Sequence, residues 1–169
     1  MKMIIVTGAC GSGKSTMRDL VEERLDSKFF ACVDTDECGF NWHDFAGTDH
    51  ESEYADNYMA EAVRRAKGRT LLLFGCTNPM DFMTKNKVPA EVEATCFVTL
   101  VADDQVIRER LLARPVERGF NEGNIQPHID YNRWFHRNKG KFALQLDTGK
   151  MTGDETADKI ADFAKALSK

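Results

Sequence analysis

Met3-Ile4-Ile5-Val6-Thr7-Gly8-Ala9-Cys10-Gly11-Ser12-Gly13-Lys14-Ser15-Thr16 runs from an apolar segment through a glycine-rich bend into a helical pattern. Gly8 to Ser15 fits G-x-x-x-x-G-K-[ST], and a strand before it with a helix after it is the context that gives the match weight. Glycines let a backbone wrap an anion without Cβ clashes. The N–H groups of the bend and first helical turn then point inward at a phosphate. Gly8, Gly11, Ser12, Gly13, Lys14, Ser15 and Thr16 are therefore the expected contacts to a nucleoside triphosphate. Lys14 is expected to bridge the β- and γ-phosphates, Ser15 to hold Mg²⁺, and Thr16 to reach the α-phosphate side or to cap and pack.

The chain of 169 residues, 42% hydrophobic and 30% charged, is long enough for one α/β core and short for two, so residues 1–169 are read as a single domain. A net charge of −4 argues against broad electrostatic capture of nucleic acid, while leaving a local basic patch open. Cys10, Cys32, Cys38, Cys76 and Cys96 contain no C-x-x-C pair, and a reduced, cytoplasmic setting is the expectation. The chain begins directly on a core strand, so no cleaved signal is expected. No apolar run approaches membrane-spanning length. His43, His50, His128 and His136 show no metal-binding spacing.

Taken in order, Met3–Val6 reads as the first buried strand and Lys14 to Leu25 as a helix with Met17, Leu20, Val21, Arg24 and Leu25 on one face. Phe29–Val33 reads as the second strand, Glu51–Ala66 as a helix stopped by Gly68, and Thr70–Phe74 as the third strand. Met80–Lys85 suits a short helix, Thr95–Val101 a fourth strand, and Asp103 or Asp104 to Ala113 a helix with Val106, Ile107, Leu111 and Leu112 inward. Ile125–Asn138 suits another helix and Phe142–Leu146 a fifth strand. Thr152 with Glu155 forms a capping box that opens the last helix. Apolar strands alternating with helices indicate a parallel sheet covered on both faces.

The second strand ends in Asp34-Thr35-Asp36-Glu37, where ligands bind in open parallel sheets. Alternation along an extended backbone would place Asp34 and Asp36 on one side, with Asp34 toward metal and base work and Asp36 toward an acceptor. The other reading is that both cap the next segment. The third strand ends in Phe74-Gly75, so a metal carboxylate must come from elsewhere. From Asp34 to Glu61 there is no lysine or arginine, which favours an acceptor without phosphate. Trp42, Phe45 and Tyr54 either stack on that acceptor or belong to the core. Arg108, Arg110, Arg114 and Arg118 approach a glycine-containing loop, Arg110 being the expected contact to the nucleotide base or else a member of a surface ion pair, and Arg133 and Arg137 share a helix face by i,i+4 spacing. Arginines on a lid supply positive charge around a moving phosphoryl group. Asn86-Lys87-Val88-Pro89 and Asn138-Lys139-Gly140-Lys141 lack the aspartate of a guanine-reading N-K-x-D element.

Gly8–Thr16, Asp34-Thr35-Asp36, Arg110-Leu111-Leu112-Ala113-Arg114-Pro115 and Asp147-Thr148-Gly149 together resemble the small P-loop kinase family. That family includes shikimate kinase, gluconate kinase, adenylate kinase-like nucleotide kinases and chloramphenicol phosphotransferase. The resemblance covers essentially the whole chain. It implies a three-layer α/β/α sandwich with a five-stranded parallel sheet in the order 2-3-1-4-5. It also implies an acceptor-binding region at about 37–66 and a short lid at about 114–124. By the same resemblance Asp34 lies near magnesium, Asp36 contacts acceptor hydroxyls, Arg114 bridges the transferring phosphates, and Asp147 and Thr148 belong to a base-contacting loop. Where shikimate kinase has a glycine triplet this chain has Gly75-Cys76-Thr77-Asn78, so the acceptor need not be shikimate.

The expected activity is ATP- and Mg²⁺-dependent phosphorylation of a hydroxyl on a nucleoside, sugar or related polyol, by a monomer or homodimer. Gly75, Asp36, Trp42, Phe45, Arg133 and Arg137 are the expected acceptor contacts, and Lys14, Asp34, Arg114 and Arg118 the expected catalytic groups. A nucleoside monophosphate kinase, a polynucleotide 5′-hydroxyl kinase and a nonenzymatic nucleotide switch are the alternatives.

Overall fold

Five apolar runs pair into one sheet: β1 (Lys2–Thr7), β2 (Phe30–Asp34), β3 (Thr70–Phe74), β4 (Ala94–Val101) and β5 (Leu144–Asp147). In the computed structural model, which describes Met1–Ser168, all neighbours are parallel and the order is β2-β3-β1-β4-β5. Six α-helices supply the covering layers: α1 (Lys14–Glu22), α2 (Glu53–Ala66), α3 (Pro79–Thr84), α4 (Asp104–Leu112), α5 (Gln126–Arg137) and α6 (Gly153–Leu167).

The period-two alternation of strand side chains sorts the core into two halves. Ile4, Val6, Leu72, Phe74, Val98 and Leu100 meet Met17 and Val21 of α1 and Ile160, Ala161 and Ala164 of α6. Met3, Ile5, Ala31, Val33, Leu71 and Leu73 meet Tyr58, Met59, Ala62 and Val63 of α2 and Phe82 of α3. A third cluster, Ala102, Ile107, Leu111, Ile125 and Ile129, joins α4 to α5 beyond the end of β4. Buried Asn132 fixes α5 there: its amide donates to Ala102 O at 2.7 Å and its Oδ1 accepts from Ala102 N at 3.3 Å. These partners satisfy a backbone pair that would otherwise be costly to bury.

The expected sheet order and three-layer arrangement hold, and so does the capping box. Thr152 accepts from the Glu155 amide, and Glu155 accepts from the Thr152 amide at 2.8 Å. Local boundaries differ for identifiable reasons. The α1 helix ends at Glu22 because Arg24 turns back to donate to Leu20 O and to pair with Asp154 and Asp158. The α2 helix ends at Ala66 as expected, where Lys67 at φ 52° and Gly68 at φ 81° leave the right-handed region, but it begins at Glu53 rather than Glu51. Phe29 is 57% exposed and lies outside β2, and Leu112, expected inward, is 38% exposed on the last turn of α4. Phe142 follows a 3₁₀ turn at Lys139–Lys141, which delays β5 to Leu144. Among the described residues no helix is long and apolar enough to cross a membrane.

Candidate functional site

The loop between β1 and α1 is built by backbone constraints that only its own residues satisfy. A Cβ on Gly8 would stand 2.3 Å from Leu100 O and 2.6 Å from Ser12 Oγ. Gly11 and Gly13 adopt φ 85° and 97°, a region that L side chains avoid. The result is a loop wrapped around its own amides at the N-terminus of α1, where no acidic side chain occupies the first turn. Lys14 is 8% exposed, and its Nζ donates to Gly8 O at 2.9 Å and Ala9 O at 2.8 Å. Ser12 is fully buried, with an Oγ that has no hydrogen-bond partner among the described residues.

Behind this loop, Arg110 acts as a brace. Its Nη1 donates to Thr148 Oγ1 at 2.8 Å and Gly11 O at 3.2 Å, and its Nη2 to Thr148 O at 2.8 Å. Thr148 passes the link on by donating to Ser12 O at 3.0 Å. Asp147 shapes the same turn, accepting from Gly149 N at 3.0 Å and pairing with Lys150 Nζ at 3.0 Å. Three residues expected at the nucleotide thus spend their polar atoms holding the loop and its neighbour in register.

Asp34 ends β2 and caps the following 3₁₀ turn, Thr35–Cys38, accepting from the Asp36 amide at 3.0 Å. The two aspartates are not related by strand alternation as expected, because the chain leaves the extended form at Thr35; the cap brings them together instead. Burial raises the Asp34 carboxyl, the charges of Asp36 and Glu37 add to this, and hydrogen bonding from the Asp36 amide and the Ser15 hydroxyl opposes it. Ser15 and Asp34 are therefore neighbours at the mouth of the loop. Hydroxyl and carboxylate oxygens are the donors that Mg²⁺ takes.

Tyr54 stands at the centre of an aromatic row with ring centroids 5.4 Å from Trp42, 5.6 Å from Phe45 and 5.1 Å from Tyr58. Burial raises its phenol, and the charges of Asp36, Cys76, Cys38 and Asp34 add to this. Trp42 is 43% exposed and Phe45 half-buried, so both form the outer end of the row. Tyr58 anchors the inner end, 2.8 Å from Thr77 Oγ1, and Thr77 O accepts from Thr7 Oγ1 at 2.7 Å. The acidic stretch is partly consumed locally: Asp56 accepts from Asn86 and Lys87, Glu51 from Gly47, and Glu53 lies against His50.

Arg114, expected from the sequence, has neighbours that spacing does not single out. Arg114 lies over the Phe120 ring at 5.3 Å, and Phe120 meets His128 edge-on at 5.3 Å. Burial lowers the His128 imidazole, with the charges of Lys14 and Arg114 adding to the effect and Cys76 opposing it. The Tyr131 phenol is buried without a hydrogen-bond partner among the described residues and feels Cys76, Asp81, Tyr58 and Cys10. Helix periodicity is satisfied equally well by a core tyrosine, so no pattern in the sequence marks Tyr131 or His128.

Other expected contacts lie elsewhere. Gly75 is buried, and the space where its Cβ would stand is filled by Thr35, so packing accounts for the glycine. Arg133 pairs with Asp104 at 2.7 Å and Asp130 at 3.2 Å, and with Arg137 lines a shallow surface depression beside Asp103 and His136. Neither arginine joins the Asp34 group, because the helix face they share is turned toward the N-terminus of α4. Arg118 is exposed on the 3₁₀ turn Val116–Arg118, and Arg108 pairs with Glu122 across that loop.

A family model described as AAA domain matches residues 4–129, from β1 through the loop to the first turn of α5. The chain belongs to the AAA domain family. Comparison with curated protein sequences gives no match. Among solved structures, this AAA domain is similar to a sugar kinase from a Janibacter species, with a TM-score of 0.65 at 15% identity over 98% of this chain and 95% of that one. The APS kinase of Mycobacterium tuberculosis, solved with AMPPNP and APS, matches with a TM-score of 0.65 at 20% identity over 97% of each chain. Shikimate kinase from Acinetobacter baumannii, solved with shikimate, matches with a TM-score of 0.58 at 12% identity over 99% of this chain and 94% of that one. At these identities the likeness shows that the AAA domain shares their fold.

Proposed function

We propose that the chain transfers the γ-phosphoryl group of ATP to a hydroxyl of a small molecule that carries no phosphate of its own. The observation that carries this reading is that the parallel sheet brings the glycine loop, with its buried Lys14, and the Asp34–Asp36 cap out at the same end, with Ser15 beside Asp34. Phosphoryl transfer asks a protein chiefly for positioning and charge stabilisation. Lys14 is held where the loop amides converge, and leaves Gly8 O and Ala9 O to meet phosphate oxygens. Ser15 and Asp34 would hold Mg²⁺, which neutralises phosphate charge when bound. Asp36 and the Tyr54 phenol orient the acceptor hydroxyl. Asp34, its carboxyl raised by burial, is poised to take the proton as the hydroxyl attacks. Arg114, set on the Phe120 ring, approaches from the lid side with Arg118 beyond it on the turn.

The acceptor side lacks a phosphate clamp, which weighs against a nucleoside monophosphate. Arg64 and Arg65 both pair with Glu61 at 2.7 Å, and Arg133 is held by Asp104 and Asp130. A nucleoside, sugar or related polyol, stacked or packed against Trp42, Phe45 and Tyr54, fits the cation-free stretch better. The test is a coupled ADP-release screen with Mg²⁺ and ATP against nucleosides, nucleoside monophosphates, sugars, shikimate-like acids and aminoglycosides, with mass detection of products. Stimulation by an uncharged polyol or nucleoside with a phosphate-sized mass gain is the expected result. Phosphorylation of a monophosphate alone, or ATP binding with no acceptor phosphorylated, would overturn it.

A further inference from the structure

The glycine loop carries a reactive group that phosphoryl transfer does not use. Cys10 lies between Ala9 and Gly11, and its Sγ is 4.0 Å from the Sγ of Cys76 on the turn after β3. Parallel pairing of β1 with β3, with Val6 opposite Phe74, brings the two loops out side by side. The sulfur pair is thus set by sheet register. Hydrogen bonding with Cys76, then the charges of Lys14 and Arg114, draw Cys10 toward the thiolate against burial and Asp36. The hydrogen bond to Cys10 keeps Cys76 protonated, and Cys76 is exposed. The other three cysteines differ in kind. Burial pushes Cys32 up to about 12 and Cys38 up to about 11, raises Cys96, and leaves each without a thiol neighbour among the described residues.

We propose that Cys10 and Cys76 form a hydroperoxide-sensitive dithiol, closing to a disulfide that ties the phosphate loop to the turn after β3 and weakens its hold on a triphosphate. The Cys10 thiolate attacks the peroxide, the O–O bond breaks as an S–O bond forms, and an alcohol or water leaves after taking up a proton. Cys76 sulfur then attacks the resulting sulfenic acid. The S–O bond breaks, an S–S bond forms, and the departing hydroxide takes the Cys76 proton as water. Both sulfurs are oxidised and one hydroperoxide is reduced.

Closure requires the sulfurs to approach by roughly 2 Å, since a disulfide spans about 2.05 Å. Thr77 ties the turn after β3 to Thr7 and Tyr58, and Arg110 and Thr148 tie Gly11 O and Ser12 O of the glycine loop to its neighbour. Both sides are held, and because Cys10 lies within the glycine loop itself, the bridge strains the backbone whose amides must converge to hold phosphate. Binding and oxidation also draw on the same cation, Lys14. By linkage, bound nucleotide should protect Cys10, and the disulfide should weaken nucleotide binding.

The experiment treats the full chain with tert-butyl hydroperoxide, then measures free thiols, intact mass, linked peptides and ATP affinity before and after dithiothreitol. The expected results are loss of two of the five thiols and a peptide joining Cys10 to Cys76, with slower oxidation when Mg²⁺ and ATP are present. ATP affinity should fall at least about tenfold and return on reduction. C76S should stop at a Cys10 sulfenic acid that dimedone captures. Five surviving thiols, a bridge between other cysteines, or a Cys10–Cys76 bridge with unchanged ATP affinity would each overturn the proposal. If the reduced chain fails to bind ATP, the nucleotide reading falls, while the thiol count and peptide map still decide the bridge.

Discussion

Gly75→Ala probes how the carboxylate turn is held in place. A Cβ at residue 75 would stand 2.3 Å from Thr35 Oγ1, 2.5 Å from Cγ2 and 2.9 Å from Cβ. Carbon atoms rest about 3.5–4.0 Å apart, so either residue must move by about 1 Å. Rotation of Thr35 offers no escape, because the contact includes its branching carbon and the residue is buried. Gly75 is outside the positive-φ set, so alanine there is strained by contact alone. Overpacking of this kind costs about 1–3 kcal/mol, and in a chain of this size each kcal/mol lowers the melting temperature by about 2–4 °C. Thr35 lies between Asp34 and Asp36, so the displacement reaches both carboxylates. Misplacement by about 1 Å is expected to reduce turnover on the order of 100-fold. Urea unfolding measures the first effect and acceptor-dependent ADP release the second. G75A/T35A removes the two nearest atoms, and should be more stable than G75A and also more stable than the summed losses of G75A and T35A predict, by about 0.5–3 kcal/mol. A G75A variant within about 0.5 kcal/mol of the parent, or a double variant no more stable than G75A, would refute the packing account.

Lys14→Ala should lose triphosphate affinity and turnover together, measured by nucleotide titration and ADP release; preserved turnover would remove Lys14 from the mechanism. Asp34→Asn should reduce turnover far more than acceptor binding, because the amide keeps the cap to Asp36 but neither binds a cation as a carboxylate does nor takes a proton. The same variant tests the electrostatics. Burial raises the folded Asp34 carboxyl above its unfolded value near 3.8, so the parent is favoured below that pH and loses that contribution as pH rises through the folded value. Unfolding free energies of parent and D34N should converge at acid pH and separate in favour of D34N toward neutrality; a gap independent of pH would refute the raised carboxyl.

Much of the fold is legible because its signals are local. Met3–Val6, the glycines of the loop and Lys14 lie within one strand–turn–helix unit, and the capping box spans Thr152 to Glu155. The site is legible only in part. Asp34 could be placed at a strand end from the apolar run before it, but its relation to Asp36 could not, since strand alternation and an N-cap both bring residues two apart together. Gly75 drew attention as a loop glycine, whereas its neighbour Thr35 belongs to a different strand end. Arg133 and Arg137 shared a face as expected, but which element that face meets depends on how α5 is rotated by Asn132 and the end of β4.

The sequence by itself determined the glycine loop between β1 and α1, the strand–helix alternation and the acidic end of β2, because each is written in residue spacing over a few positions. Only the tertiary structure decided that Cys10 faces Cys76, that Arg114 lies over Phe120 with His128 edge-on to the same ring, and that Arg110 braces the loop through Thr148. Those pairings join residues far apart in the chain. Parallel register and helix rotation set them, and both are fixed by how the whole core packs.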